Sequence, residues 1–377
     1  MTKLKKLWEK TLKKIFIIAG DPSGDIHAAK LMNKLNNFIG DIEFVGIGGE
    51  AMIKEGMNSI FPIDDISVVG FWEVAKKSYM FWNLLQDCKL TLKLGEFDAF
   101  IPVDYPGFNI KLSVYAKSIN IPVFYYIAPQ LWAWGKNRAK TLAESVEQLY
   151  VVFPFEVNYF KQFGIKSEFI GHPLLDNDIF ADDFPNYDNR ENLIALLPGS
   201  RIQEIKKNLP VFIKSVKLLK NMYPNYTFAV AAKTFSNDLY ERIINDEEIT
   251  IFSDSIELMR KAKAGVVKTG TSNLEAALCG MPFSMAYKTS MLSYLLGKRL
   301  VNLPYISIVN ILLEKFVVNE FIQTDANPVS IFQDLDRILS NKNVYKSYQD
   351  EYTVIKKMLG NSGASERAAI SIANYLQ

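Results

Sequence analysis

Short apolar runs alternate with helix-patterned stretches along almost the whole chain, and this alternation constrains the fold more than any other feature. "KIFIIAG", "EFVGIGG", "FDAFIPVD", "PVFYYIAP" and "QLYVVFPF" each lead into a helical stretch, and "SEFIGHPL" closes the series. Runs that stay apolar on both alternating faces suit parallel strands buried on both sides, with the intervening helices as cover. After His172 the texture breaks: "DNDIFADDFPNYDNREN" is acidic and turn-rich and reads as a linker. A second series follows through "LIALLPGSR", "YTFAVAA", "ITIFSD", "AGVVKTG" and "PFSMAYK". A chain of 377 residues is long enough for two such cores. The sequence therefore predicts an α/β protein with two Rossmann-like, doubly wound parallel-sheet domains facing a cleft. Ligands of such sheets bind beyond the carboxyl ends of the strands. The expected divisions are a basic extension over 1–14, a first domain over 15–175, a second over 190–345, and C-terminal helices over 346–377 packing back on the first domain.

Composition removes several classes of function. A formal charge of +2 lacks the basic field of a nucleic-acid binder, so no nucleic-acid partner is expected. Cys88 and Cys279 form no disulfide framework, which suits a reducing cytoplasm. With two His and two Cys the chain is poor in zinc ligands. The Asp-x-Asp found, Asp334-Leu335-Asp336, falls in a helical pattern rather than after a strand, so a metal-free site without cofactor is expected. No apolar run reaches the ~18 residues that span a bilayer, and no signal-peptide cleavage site is visible. The opening "MTKLKKLWEKTLKK" sets Leu4, Leu7, Trp8 and Leu12 on one stripe among lysines. That pattern fits either an interfacial helix on an anionic membrane or a solvated helix packed on the body of the protein.

Several strand-to-helix loops carry polar chemistry. Ile15–Ile18 run into Ala19-Gly20-Asp21-Pro22-Ser23-Gly24-Asp25, and a helical pattern starts at Ile26. This loop has neither G-x-G-x-x-G nor a P-loop lysine. Gly20 and Gly24 allow a tight turn, and Asp21, Ser23 and Asp25 offer polar groups to a sugar or phosphate. Asp25 fits better as the N-cap of the following helix. Asp104 ends the "FIPVD" run, where it serves as a general base or as a loop-capping Asx turn. In "LLPGSR", Pro198-Gly199-Ser200 turns after a strand and frees Arg201, whose planar guanidinium suits phosphate. In "AGVVKTGTSNLEAALCGMP", Thr269, Gly270 and Thr271 form a small-residue loop before a helix starting near Asn273. Amide groups at such a start suit a diphosphate, and Glu275, read in the first turn, suits ribose hydroxyls or a capping box. Trp132 and Trp134 follow another strand, and His172, at the end of "FIGH", reads as a positioning residue.

"AGDPSGD", "DYPGFN", "APQLWAWGKNR", "FPFE", "FIGHP", "LLPGSR", "GTSNLEAALCGMP" and "YISIVNILL", in this order, resemble the lipid-A-disaccharide synthases, glycosyltransferases of the GT-B fold. The resemblance runs from about residue 15 to the C-terminus. It implies a donor, UDP-2,3-diacylglucosamine, and an acceptor, 2,3-diacylglucosamine 1-phosphate, joined with inversion into a β-1,6-linked disaccharide 1-phosphate plus UDP. It implies Asp104 as the general base, and Ser200, Arg201, Thr269, Gly270, Thr271, Glu275 and Asn310 on the UDP side. Gly20, Asp21, Ser23, Gly24 and Asn109 then fall to the acceptor side. Departures from the family pattern are Asp21 where Glu is usual, Gly107 where a second acid is frequent, Gln130 for Ser and Val309 for Pro.

Two lipid substrates imply a membrane surface as a further partner, at the cytoplasmic face of the inner membrane. "VVGFWEVAKKSYMFWNLLQDCKLTLK" groups Val68, Val69, Phe71, Trp72, Met80, Phe81, Trp82, Leu84 and Leu85 with Lys76 and Lys77. Phe71, Trp72, Phe81 and Trp82 are the expected membrane or acyl contacts, with part of the stripe in the core. A UDP-N-acetylglucosamine 2-epimerase or a non-catalytic UDP-lipid binding protein would share the UDP side and stand as alternatives.

Overall fold

The structure is a computed structural model that describes residues 12–63, 71–232, 237–245, 248–300 and 303–377. The chain divides into two units: residues up to Asn177 together with Leu359–Gln377, and Asp178–Met358. The first unit runs β1 (Lys13–Ala19), α1 (Pro22–Ile39), β2 (Ile42–Gly48), α2 (Glu50–Lys54), β3 (Asn58–Pro62), α3 (Phe71–Leu94), β4 (Ala99–Val103) and α4 (Pro106–Ser118). It continues through β5 (Phe124–Tyr126), α5 (Leu131–Trp134), α6 (Lys136–Ser145), β6 (Gln148–Val151), α7 (Pro154–Lys161) and β7 (Ser167–Phe169). The second unit follows with β8 (Glu191–Leu197), α8 (Ile202–Met222), β9 (Thr227–Ala231), α9 (Asn237–Ile244), β10 (Ile249–Phe252), α10 (Ser255–Lys261) and β11 (Ala262–Val267). Then come α11 (Thr271–Leu278), β12 (Phe283–Tyr287), α12 (Met291–Leu300), α13 (Ile308–Leu313), β13 (Glu320–Ile322), α14 (Pro328–Ser340) and α15 (Lys342–Met358). The last helix, α16 (Ala364–Leu376), returns to the first unit.

Each unit is built on a parallel sheet. The first has seven strands in the order β3-β2-β1-β4-β5-β6-β7, the second six in the order β10-β9-β8-β11-β12-β13. Residues alternate between the two faces of the sheet. Ile15 and Ile17 pack with α1 and α16, whereas Phe16 and Ile18 pack with α3 and α4. Strand order reverses direction between β1 and β4 and again between β8 and β11. The loops leaving such neighbours diverge and open a crevice at their carboxyl ends. Ala19 pairs with Val103, so the Gly20 loop and Asp104 leave adjacent strands at the same level. Val267 pairs with Leu197, which does the same for the Gly270 and Gly199 loops.

Five expectations change. Edge strands β3 and β13 carry no apolar run in the sequence; β3 is largely exposed and β13 is three residues long. Helix α1 begins at Pro22, not Ile26. Its N-cap is Asp21, whose Oδ1 accepts from Gly24 N at 2.7 Å. Asp25 caps α2 instead, accepting from Gly49 N, Ala51 N and Met52 N at 2.7, 3.1 and 3.1 Å. The acidic linker ends in a packed anchor: buried Arg190 donates to the carbonyls of Met259, Arg260, Ala262 and Cys279. The later division falls after Met358, so α15 stays with the second unit and only α16 joins the first.

Candidate functional site

In the first unit the chemistry gathers where β1 and β4 end. Asp104 and Tyr105 are both left-handed, with φ of 43° and 51°. Each such residue costs about 1–3 kcal/mol unless its surroundings enforce it. Three groups do so. Asn109 Nδ2 donates to Val103 O and Asp104 O at 3.2 and 2.8 Å, Tyr125 Oη donates to Asp104 O at 2.6 Å, and Asp104 N donates to Tyr126 O at 3.1 Å. The turn lays the Tyr105 ring on Gly20. A β-carbon at Gly20 would stand 2.2 Å from Tyr105 Cγ. The first glycine of the opening loop thus makes room for an aromatic ring. Asp21 caps α1, and Ser23, in its first turn, is exposed.

Burial pushes the Asp104 carboxyl up to about 7, the Asp21 charge adds to the rise, and a hydrogen bond from the Tyr105 backbone opposes it. A carboxylate poised there can accept a proton near neutrality. Asn109 is expected on the acceptor side. It is wholly buried, and both Nδ2 hydrogens serve the Asp104 turn, so it positions Asp104.

Sequence reasoning passed over Glu156, although it ends the quoted "FPFE". It is fully buried, accepting from Trp132 Nε1 at 2.9 Å and from the amides of Val152 and Phe153 at 3.1 and 3.0 Å. Burial raises its carboxyl to about 7 against those three bonds, with the Asp104 charge adding to the rise. His172 is neutral: burial holds it down to about 3, while Nδ1 accepts from Leu174 N at 3.2 Å and the ring packs on Phe153.

In the second unit the loops after β8 and β11 meet around one carboxylate. Gly199 has φ 117°, and a β-carbon there would stand 2.5 Å from Glu204 Oε2. Glu204 Oε1 lies 3.3 Å from Arg201 Nη1 and 3.0 Å from Lys268 Nζ. Gly270, at φ 134°, opens the loop before α11 in a conformation that suits glycine. Two buried asparagines fix the strand ends. Asn208 donates to Pro198 O at 3.2 Å and accepts from Lys288 N at 2.7 Å, and Asn273 donates to Lys268 O at 2.8 Å. Ser200, Arg201, Gly270 and Thr271 are exposed, and Thr269 is half-buried. Lys268 and Glu204 went unassigned in the sequence; a lysine closing an apolar run was the available signal.

Two UDP-side expectations need correction. Glu275 falls in the second turn of α11, because the helix starts at Thr271 and not near Asn273. Asn310 is fully buried with every polar group engaged: Nδ2 donates to Val318 O and Glu320 Oε1, both at 2.8 Å, and Oδ1 accepts from Val317 N and Val318 N, both at 2.9 Å. It holds the loop before β13 and has nothing left for a ligand.

On α3, Tyr79 and Trp82 stack at 6.5 Å and are 73% and 58% exposed. Phe81, expected at the membrane, is half-buried and packs against the core cluster that holds Leu84 and Cys88. Val68, Val69, residues 1–11 and the side chains of Phe71, Trp72, Lys76, Lys77 and Trp134 lie outside the described residues. Among the described residues no helix is long and apolar enough to cross a membrane, and no group of three His, Cys, Asp or Glu stands together to hold a metal. Asp334, of the Asp-x-Asp, is buried in α14, where it accepts from Ser284, Asn319 and Arg337.

Residues 15–373 match the family described as lipid-A-disaccharide synthetase. The lipid-A-disaccharide synthase of Syntrophus aciditrophicus is 36% identical over 95% of this chain and 96% of its own length. That of a Sulfurihydrogenibium species is 33% identical over 97% and 99%. The chain belongs to the lipid-A-disaccharide synthase family. It is accordingly a hexosyltransferase of lipid A disaccharide synthesis, and the family implies a UDP-sugar donor and a lipid acceptor. Solved structures show the fold. The S. aureus MnaA–UDP co-structure matches with a TM-score of 0.68 at 13% identity, over 97% of both chains. The calicheamicin glycosyltransferase CalG4 matches with 0.62 at 12%, over 97% of this chain and 98% of that one. The synthase family member here thus has the GT-B fold, shared by glycosyltransferases and UDP-sugar epimerases.

Proposed function

We propose that this chain joins UDP-2,3-diacylglucosamine to 2,3-diacylglucosamine 1-phosphate with inversion, releasing UDP and a β-1,6-linked disaccharide 1-phosphate. The observation that carries this reading is Asp104, on a strained turn at the strand-order reversal, with its carboxyl raised to about 7. The Asp104 carboxylate takes the proton of the acceptor 6-hydroxyl as that oxygen attacks the donor anomeric carbon. The bond from that carbon to the diphosphate oxygen breaks, and its electron pair leaves with UDP. Arg201 and the amides around Gly270 meet the diphosphate charge, and Glu275 takes the ribose hydroxyls. Asp21, Ser23 and the Gly20 loop serve the acceptor.

The enzyme works at the cytoplasmic face of the inner membrane as a peripheral protein. The exposed Tyr79–Trp82 pair on α3 suits the headgroup level, where aromatic rings with a polar edge settle.

A transfer assay in detergent with EDTA, its products read by mass spectrometry, tests the reading. Disaccharide 1-phosphate plus UDP is the expected result. No disaccharide at any acyl length, with Mg²⁺ restored, overturns it. A 2-epimer released from non-acylated UDP-N-acetylglucosamine without acceptor would instead support the epimerase.

A further inference from the structure

Lys268 is the first residue past β11, and its ammonium turns back over the loop that follows. Nζ lies 3.6 Å from the point where a side chain on Gly270 would begin, and apart from the flanking Thr269 and Thr271 no other described group comes within 4 Å of that point. Glu204 holds it there at 3.0 Å, and the same oxygen takes Arg201 at 3.3 Å. One carboxylate therefore faces two cations, and a single positive charge is left over at the strand-order reversal. The two cations are unlike: the Lys268 side chain is 17% exposed and that of Arg201 is 59% exposed. The more buried charge is the less screened one. The second Glu204 oxygen, Oε2, is buried with no partner. Leaving a carboxylate oxygen so costs stability, and the cost is tolerated where the carboxylate is needed to hold something.

We propose that Lys268 is a second cation for the donor diphosphate, touching it directly above the Gly270 loop, with Glu204 as the positioning residue that pairs with both Lys268 and Arg201. This rests on the UDP side proposed above. The charge that grows on the diphosphate as the sugar leaves falls on a half-buried ammonium already in place, and no side chain has to be ordered at that moment.

The test is calorimetric binding of UDP, UMP and uridine to the full-length wild type and to Lys268→Met, Lys268→Arg and Lys268→Met/Glu204→Gln. Lys268→Met keeps Glu204 paired with Arg201, and a melting curve checks that it folds. It should bind UDP about tenfold or more weakly, with a shallower salt dependence and unchanged uridine affinity. Lys268→Arg, which keeps the charge, should stay within a few-fold of wild type. The double variant decides between contact and mere neutralisation. If Lys268 touches the diphosphate, affinity stays low without Glu204; recovery to the wild-type value would show that Lys268 only cancels Glu204 and would overturn the proposal. So would a Lys268→Met protein that binds UDP normally. A wild type that binds no UDP would overturn the underlying reading of the second unit.

Discussion

At the scale of single residues, Asp104 sets activity against stability. Its folded-state carboxyl is raised to about 7 from an ordinary value of 3.8. The fold therefore prefers the protonated form. The preference costs nothing below about pH 4, where both folded and unfolded chains are protonated; the fold is progressively weakened between about pH 4 and 7, and the loss levels off above 7, where both are ionised. Activity runs the other way, since a base must be ionised, so kcat/KM should climb with pH through about 7. Asp104→Asn should abolish turnover and yet melt higher than wild type at pH 8, by up to roughly 1–4 kcal/mol, with the gain gone at pH 4. Thermal melts at both pH values read this; a gain that persists at pH 4 would remove the ionisation argument. Gly20→Ala is a second case. The new methyl would meet the Tyr105 ring at 2.2 Å, so Tyr105 must move and carry Asp104 with it. The expected result is a loss of roughly 1–3 kcal/mol of stability with a disproportionate fall in kcat, checked by melting and initial rates.

At the scale of elements, the sequence shows what is local. Apolar runs between helices announce the central strands, because parallel strands covered on both faces have little polar surface to interrupt them. Edge strands β3 and β13 lack that signature. The place of Asp104, at the end of a strand, was readable. The reason its turn can exist was not, because Tyr125 and Gly20 reach it from other strands. Asp25 misled for the same reason, its partners lying more than twenty residues on, at Gly49–Met52. Asn310, expected on the UDP side, has its side chain fully engaged within the protein. Its four hydrogen bonds tie the loop of Val317 and Val318 to Glu320, and Glu320 in turn accepts from Ile306 N and Ser307 N. Asn310→Ala should cost about 3 kcal/mol or more, because it strands buried amides and a carbonyl. A melting temperature close to wild type, with UDP affinity lost, would return Asn310 to the ligand.

At the scale of the molecule, the first unit is closed by the end of the chain. Asp176 accepts from Gly363 N, Ala364 N and Ser365 N at 2.7, 2.9 and 3.0 Å, and from Ser365 Oγ at 2.7 Å. Behind that cap, Ala368, Ala369 and Ile372 of α16 pack in the same cluster as Ala28, Leu31 and Leu35 of α1. A chain ending at Met358 should keep slow amide exchange in β8–β12 and lose it in β1, β4 and β5, a contrast that hydrogen-exchange mass spectrometry reads directly. Equal protection of both sheets would deny α16 this role.

The same arrangement bears on synthesis. The second unit is one unbroken stretch, whereas the first waits for its last helix, with Asp176 and its partner Gly363 187 positions apart. At roughly 5–20 residues per second, translation leaves the apolar side of α1 uncovered for about 10–40 s after Asp176 is made. The sheet begun first is therefore finished last. For that interval the nascent chain presents to water, beside the ribosome, an apolar side that the finished protein never shows.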